Sequence, residues 1–312
     1  MGLMHSNCYK IIDGVELVAV ADVRDGYAEK CAEGTNAKIY RDGMDLINDA
    51  ELDIIDICLP TFLHAKYALA AMDKVKYLFI EKPVALTAEE ADELIAKAKT
   101  TGTQVQVGQV VRFENEYLPL TEIVKSGKYG KVISANFRRL SPCPDWGFEN
   151  WLHTIERSGG CAMDMHIHDT DYALYLFGKP DKYYSVRNKL GEARSYINTL
   201  FVYPETAVSL EGSWALPAER NFEASYRVVF ENAVMEYVND KITLYADGEA
   251  KNIEIKKIAL EGESGGNISD LGGYYNELVY FTDKAKTGEA IGEATLESAT
   301  ESLKFLLEEI DF

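Results

Sequence analysis

Two side chains four residues apart, Asp164 and His168, form the clearest acid–base pair in the sequence. On a helix that spacing puts both on one face. The imidazole would take or return a proton near neutral pH, and the carboxylate would accept a hydrogen bond from a hydroxyl and steady the imidazolium. Read as residues alone, the pair equally suits a helical ion pair or a histidine satisfied in a core. Lys82 is a second candidate, in the run Glu81-Lys82-Pro83 directly after the apolar stretch Tyr77–Ile80. An ammonium at the carboxyl end of a buried strand would polarise a hydroxyl or carbonyl oxygen; the plainer alternative is a surface lysine before a turn proline. His166 adds a third option, because with His168, Asp164 and Asp169 it would suggest a metal site if the segment were a strand. Glycines before it and an apolar run after it read as helix. There His166 lies about 200° around from His168, so no metal is expected.

Such residues need elements to hold them. The apolar runs Val15–Ala21, Leu52–Leu59, Tyr77–Ile80 and Gln104–Val107 read as buried strands. Helical segments separate them: Tyr27–Glu33, Met44–Asn48, His64–Met72, and one starting at Thr87, with Glu90 at capping-box spacing. The alternation predicts a doubly wound, Rossmann-type α/β domain over residues 1-108. Beyond it the pattern changes to a strand at Val132–Arg139 and a helix over Gly160–Phe177. Strands then follow at Lys182–Lys189, Tyr196–Tyr203, Val208–Trp214, Phe222–Phe230, Val234–Val238 and Ile253–Ile258, and two helices, Tyr274–Thr287 and Thr295–Glu309, close the chain. For 109-312 this predicts an α+β domain with a large, mostly antiparallel sheet, serving substrate binding and oligomerisation.

Asp22 ends the first apolar run, 20 positions after Gly2. In a dinucleotide-binding unit an acidic residue at about that distance from the glycine turn binds the adenosine ribose hydroxyls and would repel a 2′-phosphate, which favours NAD over NADP. An ordinary strand-end aspartate is the alternative. The glycine fingerprint is absent apart from Gly2, which fits its third glycine. The first strand and the two earlier glycines are expected upstream of residue 1, and the chain as it stands is expected to hold a cofactor poorly.

Four segments together resemble the Gfo/Idh/MocA oxidoreductases. They are Met1-Gly2-Leu3-Met4-His5, resembling the end of a glycine-rich turn; Cys58-Leu59-Pro60-Thr61 with His64, in which Leu59 replaces a small or hydroxylated residue; Glu81-Lys82-Pro83; and Gly159-Gly160 running through Asp164 to His168-Asp169-Thr170-Asp171. His166 departs from the family, which usually has glycine there. The resemblance implies an NAD-dependent enzyme moving a hydride between the nicotinamide and a secondary hydroxyl or ketone of a sugar, inositol or related glycoside. Lys82, Asp164 and His168 would be catalytic. Gly2, Met4, His5, Asp22, Leu59, Pro60, Thr61, His64, Glu81, Lys82 and Gln109 would line the cofactor. Arg112, Arg139, Trp151 and Tyr275 would contact substrate, although packing suits each of these four as well. A glycoside-cleaving enzyme that retains NAD and oxidises only transiently, or a non-catalytic ligand sensor on the same fold, is the alternative.

Composition narrows the classes further. A formal net charge of -19 argues against nucleic acid and anionic membrane as partners, because phosphate binding needs clustered lysine and arginine. No run approaches a membrane span and the N-terminus lacks a signal layout, so a cytoplasmic protein is expected. Five scattered cysteines without a CxxC pair read as buried thiols of a reducing compartment, with nothing marking Cys161 as a nucleophile. An exposed face of the broad sheet is expected to pair into a homodimer or homotetramer.

Overall fold

A computed structural model describes residues 1–259 and 270–310 of the chain. It divides into two units: Met1–Val110 with Lys257–Thr300, and Val111–Lys256 with Glu301–Phe312. The sequence boundary at 108 lies near the first crossing, but the segment that includes the penultimate helix packs with the first unit instead of the second.

The first unit is a Rossmann-type α/β domain. Its elements are α1 (Gly2–Tyr9), β1 (Ala19–Ala21), α2 (Tyr27–Ala32), β2 (Lys38–Tyr40), α3 (Gly43–Asp49), β3 (Ile54–Ile57), α4 (His64–Ala71), β4 (Tyr77–Glu81), α5 (Ala88–Thr101) and β5 (Gln104–Gly108). All pairings are parallel, as strand–helix alternation requires. They fall into two sheets, β1–β2 and β3–β4–β5, as expected for a domain lacking its first, central strand. Of the run Val15–Ala21 only its last three residues are strand; Val15 packs instead against a core cluster. The start of α5 follows the spacing read from sequence: Thr87 Oγ1 accepts from Glu90 N at 3.2 Å, and Glu90 Oε2 accepts from Leu86 N at 3.0 Å.

One face of β3–β4–β5 is covered by α1 and by the returning helix Gly272–Thr287, hereafter the return helix. Met4, Cys8, Tyr9 and Ile12 meet Tyr77 and Phe79 of β4 and Leu278 and Phe281 of the return helix. Phe79 and Phe281 pack edge to face at 5.4 Å. Each such buried side chain stabilises the unit by about 1.5–3 kcal/mol, so the return helix is part of this domain's core.

The second unit contains α6 (Leu118–Ser126), β6 (Val132–Leu140), α7 (Ile155–Ser158), α8 (Ile167–Phe177), and strands β7 (Lys182–Lys189), β8 (Ser195–Val202), β9 (Ala207–Ser213), β10 (Glu223–Phe230), β11 (Ala233–Val238), β12 (Lys241–Ala246) and β13 (Glu249–Ile253). The return helix is α9, and α10 (Leu296–Ile310) ends in this second unit. The eight strands run in the order β13-β12-β11-β10-β6-β9-β8-β7 and are antiparallel except for the pair β6–β9. Two-residue turns with positive φ, Asn239-Asp240 and Asp247-Gly248, join β11 to β12 and β12 to β13. The strand expected at Ile253–Ile258 is therefore a correction: β13 ends at Ile253, and the sheet's outer hairpin lies earlier in the chain.

Candidate active site

Several of the cofactor residues expected in the first unit stand just past the carboxyl ends of parallel strands, where open sheets of this kind take ligands. Asp22 follows β1, Leu59, Pro60 and Thr61 follow β3, Lys82 follows β4 and Gln109 follows β5, while Gly2 opens α1. Gln109 is buried, and neither its amide nitrogen nor its oxygen has a hydrogen-bond partner among the described residues. Burying an unpaired amide is costly, so this side chain suits a polar ligand group. The residues present thus fit a dinucleotide.

Asp22 is not open, however. Its carboxylate accepts from Arg24 N at 2.8 Å, Nε at 2.9 Å and the terminal guanidinium nitrogen at 2.6 Å. The sequence reading missed Arg24, which brings a cation against the Asp22 carboxylate.

Around Lys82 the chain is firmly held. His64 Nδ1 lies 2.8 Å from the Pro83 carbonyl and Nε2 lies 2.7 Å from that of Leu59, tying the end of β3 to the turn after β4. Burial lowers the pKa of His64 even though both carbonyls favour its charged form. The Lys82-Pro83 bond is cis. Glu81 and Pro83 are buried and Lys82 is half-buried. Glu81 Oε2 accepts from Lys82 N at 3.0 Å, and Gly108 leaves the room its carboxyl needs, since a Cβ there would stand 3.1 Å from Glu81 Cδ. His64, Glu81 and the fully buried Met4 face protein, so they support the site's walls without lining its surface. His5 is likewise buried, between Asp56 and Glu81. Burial opposes its charge, but Cys58 and Asp56 outweigh that and hold its pKa well above the ordinary value.

In the second unit, residues Ala162–His166 form one widened turn with i→i+5 bonding, continuous with α8. Asp164 lies in this turn and His168 in the first turn of α8; both are half-buried. Wide turns of this kind recur where a helix has to aim side chains at a site. His166 points elsewhere: it is fully buried, with Nε2 2.6 Å from Glu309 Oε1 of α10. Thr170 donates to the other Glu309 oxygen at 3.1 Å, and Thr199 of β8 bonds the first. Gly212 of β9 makes the space, since a Cβ there would sit 2.5 Å from His166 Nδ1. His166 is thus a core residue. Burial pushes the Cys161 thiol up to about 12, which leaves it inert as a nucleophile at neutral pH.

The two arginines expected to meet substrate are turned to buried aspartates. Arg112 makes a two-pronged bond to Asp171, at 2.8 and 2.6 Å, with Ser302 Oγ donating to the same carboxylate at 2.7 Å. Arg139 meets Asp169 at 3.2 Å through two nitrogens and donates to Tyr117 Oη at 3.0 Å. The aspartates of the His168-Asp169-Thr170-Asp171 run therefore anchor α8 to its own domain. Trp151 packs partly buried against Leu152, Cys161, Met165 and Trp214, and Tyr275 belongs to the first unit, against the α1–β4–α9 core. Arg112→Leu should cost about 3–5 kcal/mol in an unfolding titration, because it strands Asp171, and Arg112→Leu with Asp171→Leu should recover most of it. A loss confined to substrate affinity, with stability unchanged, would return Arg112 to the substrate site.

Comparison with known proteins agrees with this architecture. The oxidoreductase family with an NAD-binding Rossmann fold matches residues 1–109, and the GFO/IDH/MocA C-terminal domain matches residues 117–236. The chain is 32% identical over 182 residues to myo-inositol 2-dehydrogenase of Thermotoga maritima, covering 57% of this chain and 52% of that protein. It is 33% identical over 181 residues to scyllo-inositol 2-dehydrogenase (NAD(+)) of Bacillus subtilis, covering 57% and 51%. The chain thus spans about half the length of the curated relatives it matches. Levoglucosan dehydrogenase, solved with NADH and levoglucosan, shares the fold with a TM-score of 0.84 at 16% identity, over 100% of this chain and 94% of the other. With an N-terminal and a C-terminal match in the same order along one sequence, the chain belongs to the Gfo/Idh/MocA oxidoreductase family.

Proposed function

We propose that this protein is an NAD-dependent oxidoreductase acting on a secondary hydroxyl, or the matching ketone, of a sugar or inositol. The observation that carries the reading is Lys82: a half-buried ammonium just past the carboxyl end of β4, on a backbone fixed by His64 and Glu81. Inositol dehydrogenases among its relatives support the substrate class. NAD, when bound, supplies the hydride acceptor. Gly2, Asp22, the Leu59–Thr61 turn and Gln109 hold it, and Met4, His5, His64 and Glu81 brace them. Lys82 polarises the substrate oxygen, His168 takes the hydroxyl proton, and Asp164 orients the hydroxyl and steadies the imidazolium. Trp151 and Tyr275 offer aromatic faces to a sugar ring. The open face of the eight-stranded sheet, which exposes Tyr184, Val186 and Leu200, is the surface for self-association into a dimer or tetramer. No helix among the described residues is long and apolar enough to cross a membrane.

The test is turnover of inositols and sugars with NAD or NADP, read as NADH or NADPH. Net reduction of NAD by a polyol supports the reading; bond cleavage without net NADH favours a transient-oxidation enzyme, and ligand stabilisation without turnover favours a sensor. Cofactor choice turns on Asp22, whose charge Arg24 partly cancels. Asp22→Asn removes a charged acceptor contributing about 1.5–3 kcal/mol, and is expected to shift the NAD-to-NADP ratio of kcat/KM about 10- to 100-fold towards NADP. An unchanged ratio would remove Asp22 from the ribose site.

A further inference from the structure

Beneath the carboxyl edge of β3–β4–β5 lies a buried cluster that hydride transfer does not use. His5 of α1, Glu81 of β4 and Glu277 of α9 place one potential ligand atom each within 4.8 Å of one another, and all three side chains are at least nine-tenths buried. On the other side of the imidazole, His5 Nδ1 is 2.7 Å from Asp56 Oδ2, which also accepts from Tyr9 Oη at 2.8 Å. An ionised carboxylate only accepts, so Nδ1 carries the proton and Nε2 turns to the two glutamates.

The Nε2 contact has the wrong form for a simple hydrogen bond. Nε2 is 3.0 Å from Glu81 Oε1, yet the two are out of line, and neither atom has a hydrogen-bond partner among the described residues. Two donors bound about 2.1 Å from one cation, at right or tetrahedral angles, stand roughly 3.0–3.4 Å apart. A separation of that size with poor N–H alignment is what two ligands of a shared ion show. Two buried carboxylates also bring negative charge, which a divalent cation bound in place of a proton on His5 offsets. The Asp56–His5 bond is the outer support that metal-binding histidines usually have. One nitrogen with two carboxylate oxygens suits a borderline ion such as Zn²⁺ better than Mg²⁺ or Ca²⁺, which take all-oxygen sets.

We propose that His5 Nε2, Glu81 and Glu277 bind one divalent transition-metal ion of the zinc class, with Asp56 and Tyr9 orienting His5. The ion ties α1, β4 and α9 together within the first unit, and the proposal stands apart from the redox reading.

The full chain, stripped with chelator, is titrated with Zn²⁺ by calorimetry and with Co²⁺ by visible absorption, and its thermal unfolding is followed with and without metal. One equivalent of Zn²⁺, Co²⁺ ligand-field bands and a higher midpoint are expected. Glu277→Gln should weaken Zn²⁺ binding at least about 100-fold and Asp56→Asn about 10- to 100-fold, while Cys58→Ser, on the Nδ1 side, leaves it unchanged. Absence of saturable one-to-one binding at micromolar Zn²⁺ in the unmodified chain overturns the proposal even if no variant folds, and leaves His5 as an imidazolium between carboxylates. Unchanged affinity in Glu277→Gln, or loss in Cys58→Ser, overturns it as well.

Discussion

Lys82→Met lowers kcat/KM on the preferred polyol by about 100- to 1000-fold, while NAD binding changes only a few-fold. Methionine keeps the length and removes the charge, so what is lost is stabilisation of negative charge on the substrate oxygen. A preorganised donor of this type contributes about 2.7–4 kcal/mol to the transition state. The scaffold should survive the change. Glu81 and Pro83 are buried on either side of Lys82, and the His64 bonds at 2.7 and 2.8 Å hold the backbone independently of its side chain. Lys82→Arg should be nearly as poor, since a planar guanidinium does not fit a point-charge role. Steady-state kinetics paired with NAD titration separates the two effects. A variant keeping a tenth or more of the activity would show that Lys82 does not face the reacting oxygen.

Glu309→Ala should cost about 3–5 kcal/mol of stability, as much as breaking the Arg112–Asp171 pair. Its carboxylate is fully buried and bonds His166, Thr170 and Thr199, which come from α8, the turn before it, and β8. Truncation leaves the imidazole and the Thr170 hydroxyl without an acceptor, reduces Thr199 to its bond with Ser185, and opens a cavity, penalties that add. For a unit of this size the midpoint should fall by roughly 6–20 °C. Glu309→Gln keeps the shape and most bonds and should cost less than half as much. Differential scanning calorimetry decides the matter, and a shift of under about 2 °C for the alanine variant would show that the cluster is not a stabilising lock.

Much of this was readable because the informative features are local. The position of Asp22, the capping pair Thr87 and Glu90, the strand leading to Lys82 and the helix carrying Asp164 and His168 all follow from spacing within a few residues. Features that depend on distant segments were not readable. Nothing near Arg112 in sequence announces Asp171, and nothing near His166 announces Glu309, so two arginines looked like substrate ligands and the buried partner of His166 could not be named. Glu277 escaped notice for the same reason, since helix return in three dimensions leaves no mark in a periodic pattern. One miss was local: Ile253–Ile258 alternates like a strand, whereas the Asp247-Gly248 dipeptide, a strong hairpin signal, was passed over.

The route of the chain also bears on protein engineering. Because Lys257–Thr300 returns to the dinucleotide-binding unit, exchanging the second unit with that of a relative requires cuts near residues 110, 256 and 300, not a single junction. A chimera joined once near residue 110 would bring in a foreign α9 and set its side chains against Met4, Tyr77 and Phe79. Side chains from two lineages would then meet in a close-packed interior, where one methylene too many or too few is felt. Recombination libraries that keep α9 with its native β4 avoid that mismatch.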